Sequence, residues 1–395
     1  MKLLHVLPSL DPAGGGPMEG VLQSSLACIR MGHAVEVLTL DAPDAPFLRD
    51  YPLRVHALGP TRSGYGYTAR LVPWLRAHAT EYSAVIVNGL WQYHGLGTWR
   101  ALRASQVPYF VFTHGMLDPW FKRSYPLKHA KKWLYWPWAD YRLLRDARGV
   151  LFTCEEERLL ARESFWLYRA REVVVSFGTR TPPADADRLR EVFLDAHPAL
   201  RGRELLLFLS RIHEKKGCDL LIEAFAKLAH EHPALQLVMA GPDQTGWQAA
   251  LQARAAALGV AERITWPGML SGELKWGAFY ASSLYVLPSH QENFGIAVAE
   301  ALGCRLPVLI SDKVNIWREI DAARAGIVET DSVEGCERAL RRWLALTRAQ
   351  QAEMGTRAGM LFEQSFTVEA MAASLIDVVT RDAPSRGALR APTAQ

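Results

Sequence analysis

The chain has 395 residues, 49% hydrophobic and 22% charged, with a formal net charge of +4. That length exceeds one ordinary core and predicts two domains, and the composition excludes a wholly disordered chain. The mild positive charge does not by itself imply nucleic acid. Five scattered cysteines without a CxxC pair point away from a disulfide framework or a thiolate zinc site, and predict buried free thiols in a reducing compartment. The opening run MKLLHVLPSL is interrupted by His5 and Pro8 and does not read as a signal peptide. No apolar run reaches membrane-spanning length. The expected location is the cytoplasm, or the inner face of the plasma membrane as a peripheral protein.

Short apolar runs alternate with amphipathic stretches from the first residues onward. Strands are predicted at Leu3–Leu7, Val35–Leu40, Ala84–Val87, Tyr109–Thr113, Val150–Thr153 and Val173–Ser176, with a helix over Met18–Met31 closed by Gly32. Strand, loop and helix in this rhythm predict an α/β domain with a parallel sheet covered on both faces. A polar, proline-containing stretch, 179–187, reads as a linker between a first domain of 1–178 and a second of 188–365. The rhythm restarts with strands at Leu205–Leu209, Leu235–Ala240, Arg263–Trp266, Leu284–Leu287 and Pro307–Ile310, and helices at Asp219–His230 and Trp247–Leu258. After a polar gap comes a last helix in 366–380, expected to pack back on the first domain. The tail, 381–395, is expected to be disordered. Two such domains facing one another predict a cleft at the carboxyl ends of their strands.

The most informative stretch runs from Leu287-Pro-Ser-His-Gln through Glu292-Asn293-Phe294-Gly295 to Glu300-Ala-Leu-Gly303. A strand ends, a polar loop follows, and a helix begins near Gly295, whose free amides suit a phosphate. One carboxylate, Glu292, then addresses a sugar and the other, Glu300, the ribose hydroxyls. The seven-residue gap between glutamates is weak alone, since Glu155/Glu163, Glu223/Glu231 and Glu329/Glu337 repeat it. Its strand–loop–glycine setting is what distinguishes it. Earlier, a strand delivers Arg211 at its carboxyl end, and Lys216-Gly217 opens the next helix. Two cations there suit a diphosphate, Arg211 bidentately and Lys216 as a point charge; the plainer reading is a solvated basic turn.

These residues resemble the large retaining family of GT-B glycosyltransferases known as family 4, across nearly the whole chain and most strongly in its second half. The resemblance implies two facing Rossmann-like domains, with Arg211, Lys216 and Gly295 on the donor diphosphate. It implies that Glu292 contacts the transferred sugar, with Asn293, Phe294 and Gly295 lending backbone groups around sugar and phosphate, and that Glu300 bonds the ribose. His114 matches a histidine near the sugar, and Gly15 and Gly16 a loop approaching donor diphosphate and acceptor. Glu292 and His114 are the catalytic candidates, His114 either as a base or as a residue bonding a sugar hydroxyl. Three departures stand out: Ser176-Phe-Gly178 for a common Pro-Asn-Gly, Asn315-Ile-Trp317 where many members carry paired glycines, and Asn88 in place of a histidine.

The implied function is retaining transfer of a hexose-type sugar from a nucleoside-diphosphate sugar to a glycan or polyprenyl-diphosphate-linked acceptor, in cell-surface polysaccharide synthesis. No cofactor or metal is expected: Asp185-Ala-Asp187 fits an Asp-x-Asp pattern but lies in the linker, and protein cations can neutralise the leaving group. Trp91 and His94, just after the strand beginning at Ala84, are candidates for the acceptor side. Residues 120–145 carry seven Lys/Arg against one Asp, interleaved with Trp120, Trp133, Trp136 and Trp138. This segment reads either as a contact for an anionic membrane surface or as an ordinary interdomain helix with core tryptophans and a solvated basic face. A nucleotide-sugar epimerase and a non-catalytic nucleotide-sugar-binding protein are the alternative functions. A nucleic-acid role lacks any supporting motif.

Overall fold

The computed structural model describes residues 1–12, 16–61 and 63–382. The chain forms two compact units. One comprises Met1–Phe152, Leu160–Val175 and the last helix from Ala372 on; the other comprises Thr153–Leu159 and Ser176–Met371. The expected linker 179–187 belongs to the second unit, where Thr179 bridges to Thr367 and the Tyr280 hydroxyl donates to the Pro183 carbonyl. Of the expected disordered tail, Arg381 and Asp382 complete the last helix, Val368–Asp382. The remainder lies outside the described residues.

The first unit is built on a seven-stranded sheet: β1 Lys2–Leu7, β2 Ala34–Thr39, β3 Arg54–Ala57, β4 Ala84–Asn88, β5 Tyr109–Phe112, β6 Gly149–Phe152 and β7 Glu172–Val174. Its order is β3-β2-β1-β4-β5-β6-β7, and every pairing is parallel. The second unit holds β8 Glu204–Leu209, β9 Leu235–Ala240, β10 Ile264–Gly268, β11 Leu284–Leu287, β12 Val308–Ser311 and β13 Gly326–Glu329. These run β10-β9-β8-β11-β12-β13, again parallel throughout. In each sheet the order reverses once, between β1 and β4 and between β8 and β11. At such a reversal the flanking loops part and leave room at the strands' carboxyl ends.

The central strands are apolar because both faces are covered. All six residues of β9 are buried, and the helix Cys218–Ala229 buries Leu221, Ile222, Phe225 and Leu228 at helical spacing against that sheet. Two strands absent from the sequence reading, β3 and β13, are both sheet edges. The polar gap before the last helix is likewise structured: it holds β13 and the helices Val333–Leu344 and Arg348–Leu361. All five cysteines are free, and four are buried.

One polar cluster stitches three strands of the first sheet. The buried Glu36 on β2 receives Lys2 from β1 at 3.0 Å, His56 from β3 at 2.7 Å and the Tyr82 hydroxyl at 2.6 Å. Burial raises its pKa, but the bonds from Tyr82, His56 and Lys2 outweigh burial and hold the carboxyl at about 2, against an ordinary 4.5. A depressed folded-state pKa contributes stability that is full above the ordinary value and lost as pH falls from about 4.5 through about 2. Glu36→Gln is therefore expected to lower unfolding free energy by on the order of 2 kcal/mol at neutral pH. Denaturant titration across pH checks this, because the deficit must shrink in that acidic window; a deficit independent of pH would exclude the linkage.

Candidate functional site

In the second unit the site is assembled where β8 and β11 diverge. After β8 the chain passes Arg211 and makes a tight turn, Glu214–Lys216, ended by Gly217 in the left-handed conformation (φ 65°). A β-carbon on Gly217 would lie 2.2 Å from the Pro288 carbonyl oxygen, so the two loops touch backbone to backbone. The His290 amide donates to the Lys215 carbonyl at 2.9 Å. This approach brings the mostly buried Lys216 ammonium into an ion pair with Glu292. An ammonium has three donors, and a single carboxylate does not exhaust them. Arg211, in the loop above, is exposed.

Glu292 is itself held from a third strand. Its amide donates to the Lys313 carbonyl at 2.9 Å and its carbonyl accepts from Asn315 at 3.0 Å, so the loop after β12 grips the loop after β11. Asn293 sits between Thr153 (3.5 Å) and Asn315 (3.4 Å). The Asn315-Ile-Trp317 departure thus takes part in bracing the glutamate loop. Phe294 is different: its ring is 4% exposed and packs edge-on against Phe177 (4.9 Å) and Phe366 (5.5 Å). Its side chain anchors the loop in the core, which leaves only its backbone for a ligand. Gly295, also left-handed (φ 78°), then starts the helix Ile296–Gly303 with no side-chain cap, leaving first-turn amides for an outside acceptor.

Glu300, in the second turn of that helix, is buried and bonds Lys275 at 2.8 Å. Burial pushes its pKa up and Lys275 opposes the rise. The sequence reading missed Lys275, which lies on the helix Gly272–Ala281 with its ammonium 4.3 Å from the Trp276 ring centre. It missed Tyr285 too. This fully buried tyrosine on β11 donates to the Leu209 carbonyl of β8 at 3.1 Å. Burial drives its pKa far up, and Glu292 and Glu300 push it further. Lys216 thus faces Glu292 and Lys275 faces Glu300, while the exposed Arg211 stands in the loop after β8. Among the described residues, no group of three or more His, Cys, Asp or Glu is placed to hold a metal ion. Asp185 of the Asp-x-Asp pattern instead pairs with Arg188 at 2.6 Å.

In the first unit, the reversal between β1 and β4 carries a neutral hydrogen-bonded chain. Asn88, ending β4, donates through Nδ2 to the Ile86 carbonyl (3.1 Å) and to His5 Nδ1 (3.1 Å). Its Oδ1 lies 3.2 Å from His114 Nε2. Since the carbonyl of Ile86 only accepts, the amide orientation is fixed, and so are both tautomers: His5 accepts at Nδ1, and His114 carries its hydrogen on Nε2. Burial lowers the pKa of His114 to about 4. His5 also falls to about 4, through burial first and the neighbouring His114 second, with the Asn88 bond opposing. Both rings are neutral at physiological pH, and Nε2 of His114 is committed as a donor, not a base. His114 stands at φ 49° and stacks on Phe112.

The two acceptor-side candidates are tied up locally. His94 is buried and its Nε2 bonds the Asn88 and Gly89 carbonyls (2.9 and 3.2 Å), so it fixes the loop after β4. The Trp91 ring packs against Trp136 and Phe165, with Lys132 over its face. Gly15 lies outside the described residues, and Gly16 is the first residue of the helix Gly16–Arg30.

Two outcomes follow from this geometry. Gly217→Ala must separate the two loops and adopt a disfavoured φ, and is expected to cost roughly 3 kcal/mol, read as a lowered thermal midpoint; a neutral substitution would show that the contact is not a constraint. Asn88→Asp replaces an amide by an anion beside His114, so the imidazole pKa should rise from about 4 to above its ordinary 6.5. Imidazole nitrogen NMR against pH measures this, and a ring still titrating near 4 would refute the assigned chain.

The family model described as Glycosyl transferases group 1 matches residues 190–360, and the one described as Glycosyl transferase 4-like domain matches 15–178. A D-inositol 3-phosphate glycosyltransferase of Gordonia bronchialis is 31% identical over 243 residues, 56% of this chain and 52% of that protein. An alpha-D-kanosaminyltransferase of Streptomyces kanamyceticus is 29% identical over 192 residues, 48% of this chain and 49% of the relative. The match spans about half the length of these curated relatives. Among solved structures, sucrose-phosphate synthase from Thermosynechococcus elongatus has a TM-score of 0.75 at 20% identity, covering 96% of this chain and 98% of that one. Anabaena HepE, solved with UDP-glucose, has a TM-score of 0.70 at 20% identity, covering 96% and 100%. Likeness at that identity is one of fold, the GT-B fold of two Rossmann-like units. By both family models, one on each half, the chain belongs to the group 1 glycosyltransferases of GT4 type.

Proposed function

We propose that the protein is a retaining glycosyltransferase that moves a hexose-type sugar from a nucleoside-diphosphate sugar to a glycan or polyprenyl-diphosphate-linked acceptor in polysaccharide synthesis. The observation that carries the proposal is the convergence of Lys216, Glu292 and the uncapped start of Ile296–Gly303 at the β8/β11 reversal. In this reading Arg211, two remaining donors of Lys216 and the Gly295-side amides take the diphosphate. Their charge stabilises the departing nucleotide as the glycosidic bond breaks, without a metal. Glu292, held by Lys216 and the Asn315 amide, positions the sugar, and the free side of Glu300 takes the ribose. His114, a neutral donor through Nε2, bonds its Asn88 partner and is proposed to orient the transferred sugar, not to remove a proton. That HepE was solved with UDP and with UDP-glucose supports a uridine diphosphate donor.

A thermal-shift series with UDP, GDP, ADP and their sugars tests the donor site, since a ligand that binds only the folded state raises the midpoint by mass action. One diphosphate is expected to stabilise the protein, and Arg211→Ala to remove the shift. Absence of any shift across the series would reject the assignment. In a transfer assay with the stabilising donor, Lys216→Ala should lower kcat by roughly 10²–10³-fold. The activity should survive chelator, and product anomers resolved by proton NMR should keep the donor's configuration. An inverted product would overturn the retaining mechanism while leaving the donor site in place.

A further inference from the structure

A surface helix normally turns its polar side outward. The helix Pro126–Tyr135 in the first unit does the reverse. Its inner face carries His129 and Lys132, followed one turn later by Trp136. His129 and Trp136 both stack on Phe165 (4.7 and 4.2 Å between ring centres), and the Lys132 ammonium lies 4.3 Å from the Trp91 ring centre. Its outer face carries Leu127, Lys131 and Leu134, at spacings of four and three, and continues into Trp138. Leu127 is 82% exposed, Leu134 80% and Trp138 68%. A separate stretch of the chain extends the patch: Trp166, 67% exposed, lies against Trp133 with ring centres 5.8 Å apart. Isolated exposed apolar side chains are ordinary, but a contiguous group of leucines and tryptophans marks an interaction surface.

The charges around it indicate the partner. Lys122, Lys128 and Lys131 are exposed beside the apolar stripe, and from Pro119 to Arg145 the only carboxylate, Asp140, is fully buried. The surface is therefore positive without internal compensation. A second copy of the chain docking on this face would bring like charges together, whereas an anionic bilayer offers both an apolar interior and negative headgroups. Tryptophan suits the boundary between them, and lysine stems reach from apolar depth to phosphates. We infer that the outer face of Pro126–Tyr135, with Trp138 and Trp166, seats this unit on an anionic lipid bilayer, the leucines and tryptophans entering the headgroup boundary and Lys128 and Lys131 contacting the phosphates. Among the described residues no helix is long and apolar enough to cross a membrane, so the attachment is to one surface. The inference does not depend on the transfer reading.

Co-sedimentation of the full chain with vesicles of phosphatidylglycerol and phosphatidylcholine, against phosphatidylcholine alone, tests it. Binding to the anionic vesicles is expected, falling on the order of tenfold as salt rises past the point where the screening length is a few ångströms. Lipids brominated near the headgroup should quench part of the tryptophan emission on binding. Leu127→Ser with Leu134→Ser should abolish binding while keeping the thermal midpoint; Lys128→Glu with Lys131→Glu should remove the anionic preference. Wild-type chain that ignores anionic vesicles, or binds neutral ones equally well, overturns the inference whether or not the variants fold. So does a dimer in solution that the two leucine substitutions convert to monomer.

Discussion

The architecture at the β8/β11 reversal depends on one steric fact: Gly217 has no β-carbon, and the Pro288 carbonyl occupies the place where one would be. Because those backbones touch, the turn after β8 and the loop after β11 move as one piece, and Lys216 meets Glu292 without having to be ordered by a ligand. The loop after β12 joins them through the Glu292 and Asn315 backbone bonds. Three loops from three adjacent parallel strands are thereby set by the sheet beneath them. A site prepared in this way has already met the entropy of fixing its groups during folding, which is the source of its leverage on a bound or reacting ligand.

The two units place different electrostatics at their strand reversals. The second concentrates full charges, the Lys216–Glu292 and Lys275–Glu300 pairs, with the buried Tyr285 on β11. The first concentrates neutral dipoles, His5, Asn88 and His114, in a chain whose donor directions are fixed by a backbone carbonyl. Charge is the efficient means of holding a diphosphate. Oriented neutral groups are better suited to hydroxyls, which are recognised by geometry and lose binding sharply when one partner is missing.

Legibility in the sequence followed burial. Central strands such as Leu235–Ala240 and Leu284–Leu287 are continuous apolar runs with polar or glycine-rich ends, and their limits were readable to the residue. Two of the four edge strands were not: Arg54-Val-His-Ala and Gly326-Ile-Val-Glu have one neighbour each, keep polar side chains, and resemble loops, whereas the edges at β7 and β10 kept enough apolar residues to be read. The helix Val333–Leu344 was hidden by its charges, although its buried side is regular. At the site, Arg211, Lys216, Glu292 and Glu300 stood out because strand ends and glycines framed them. Lys275 did not, since it reaches Glu300 from a helix whose own pattern is nearly featureless. Phe294 belonged to the right motif, but only its contacts with Phe177 and Phe366 distinguish a loop anchor from a ligand contact. His94 likewise lay in the right place by sequence, and only the two carbonyls that it binds show it turned inward.

The division of the chain into units has a consequence for how such proteins can be recombined. The backbone passes from one unit to the other four times, after Phe152, Leu159, Val175 and Met371. A hybrid that exchanges donor-side halves at a single junction near 178 would leave Thr153, the partner of Asn293, with the wrong parent, and would split the closing helix from the body it belongs to. Exchanging the second unit therefore requires that Thr153–Leu159 go with it and that the closing helix from Ala372 on stay with the first.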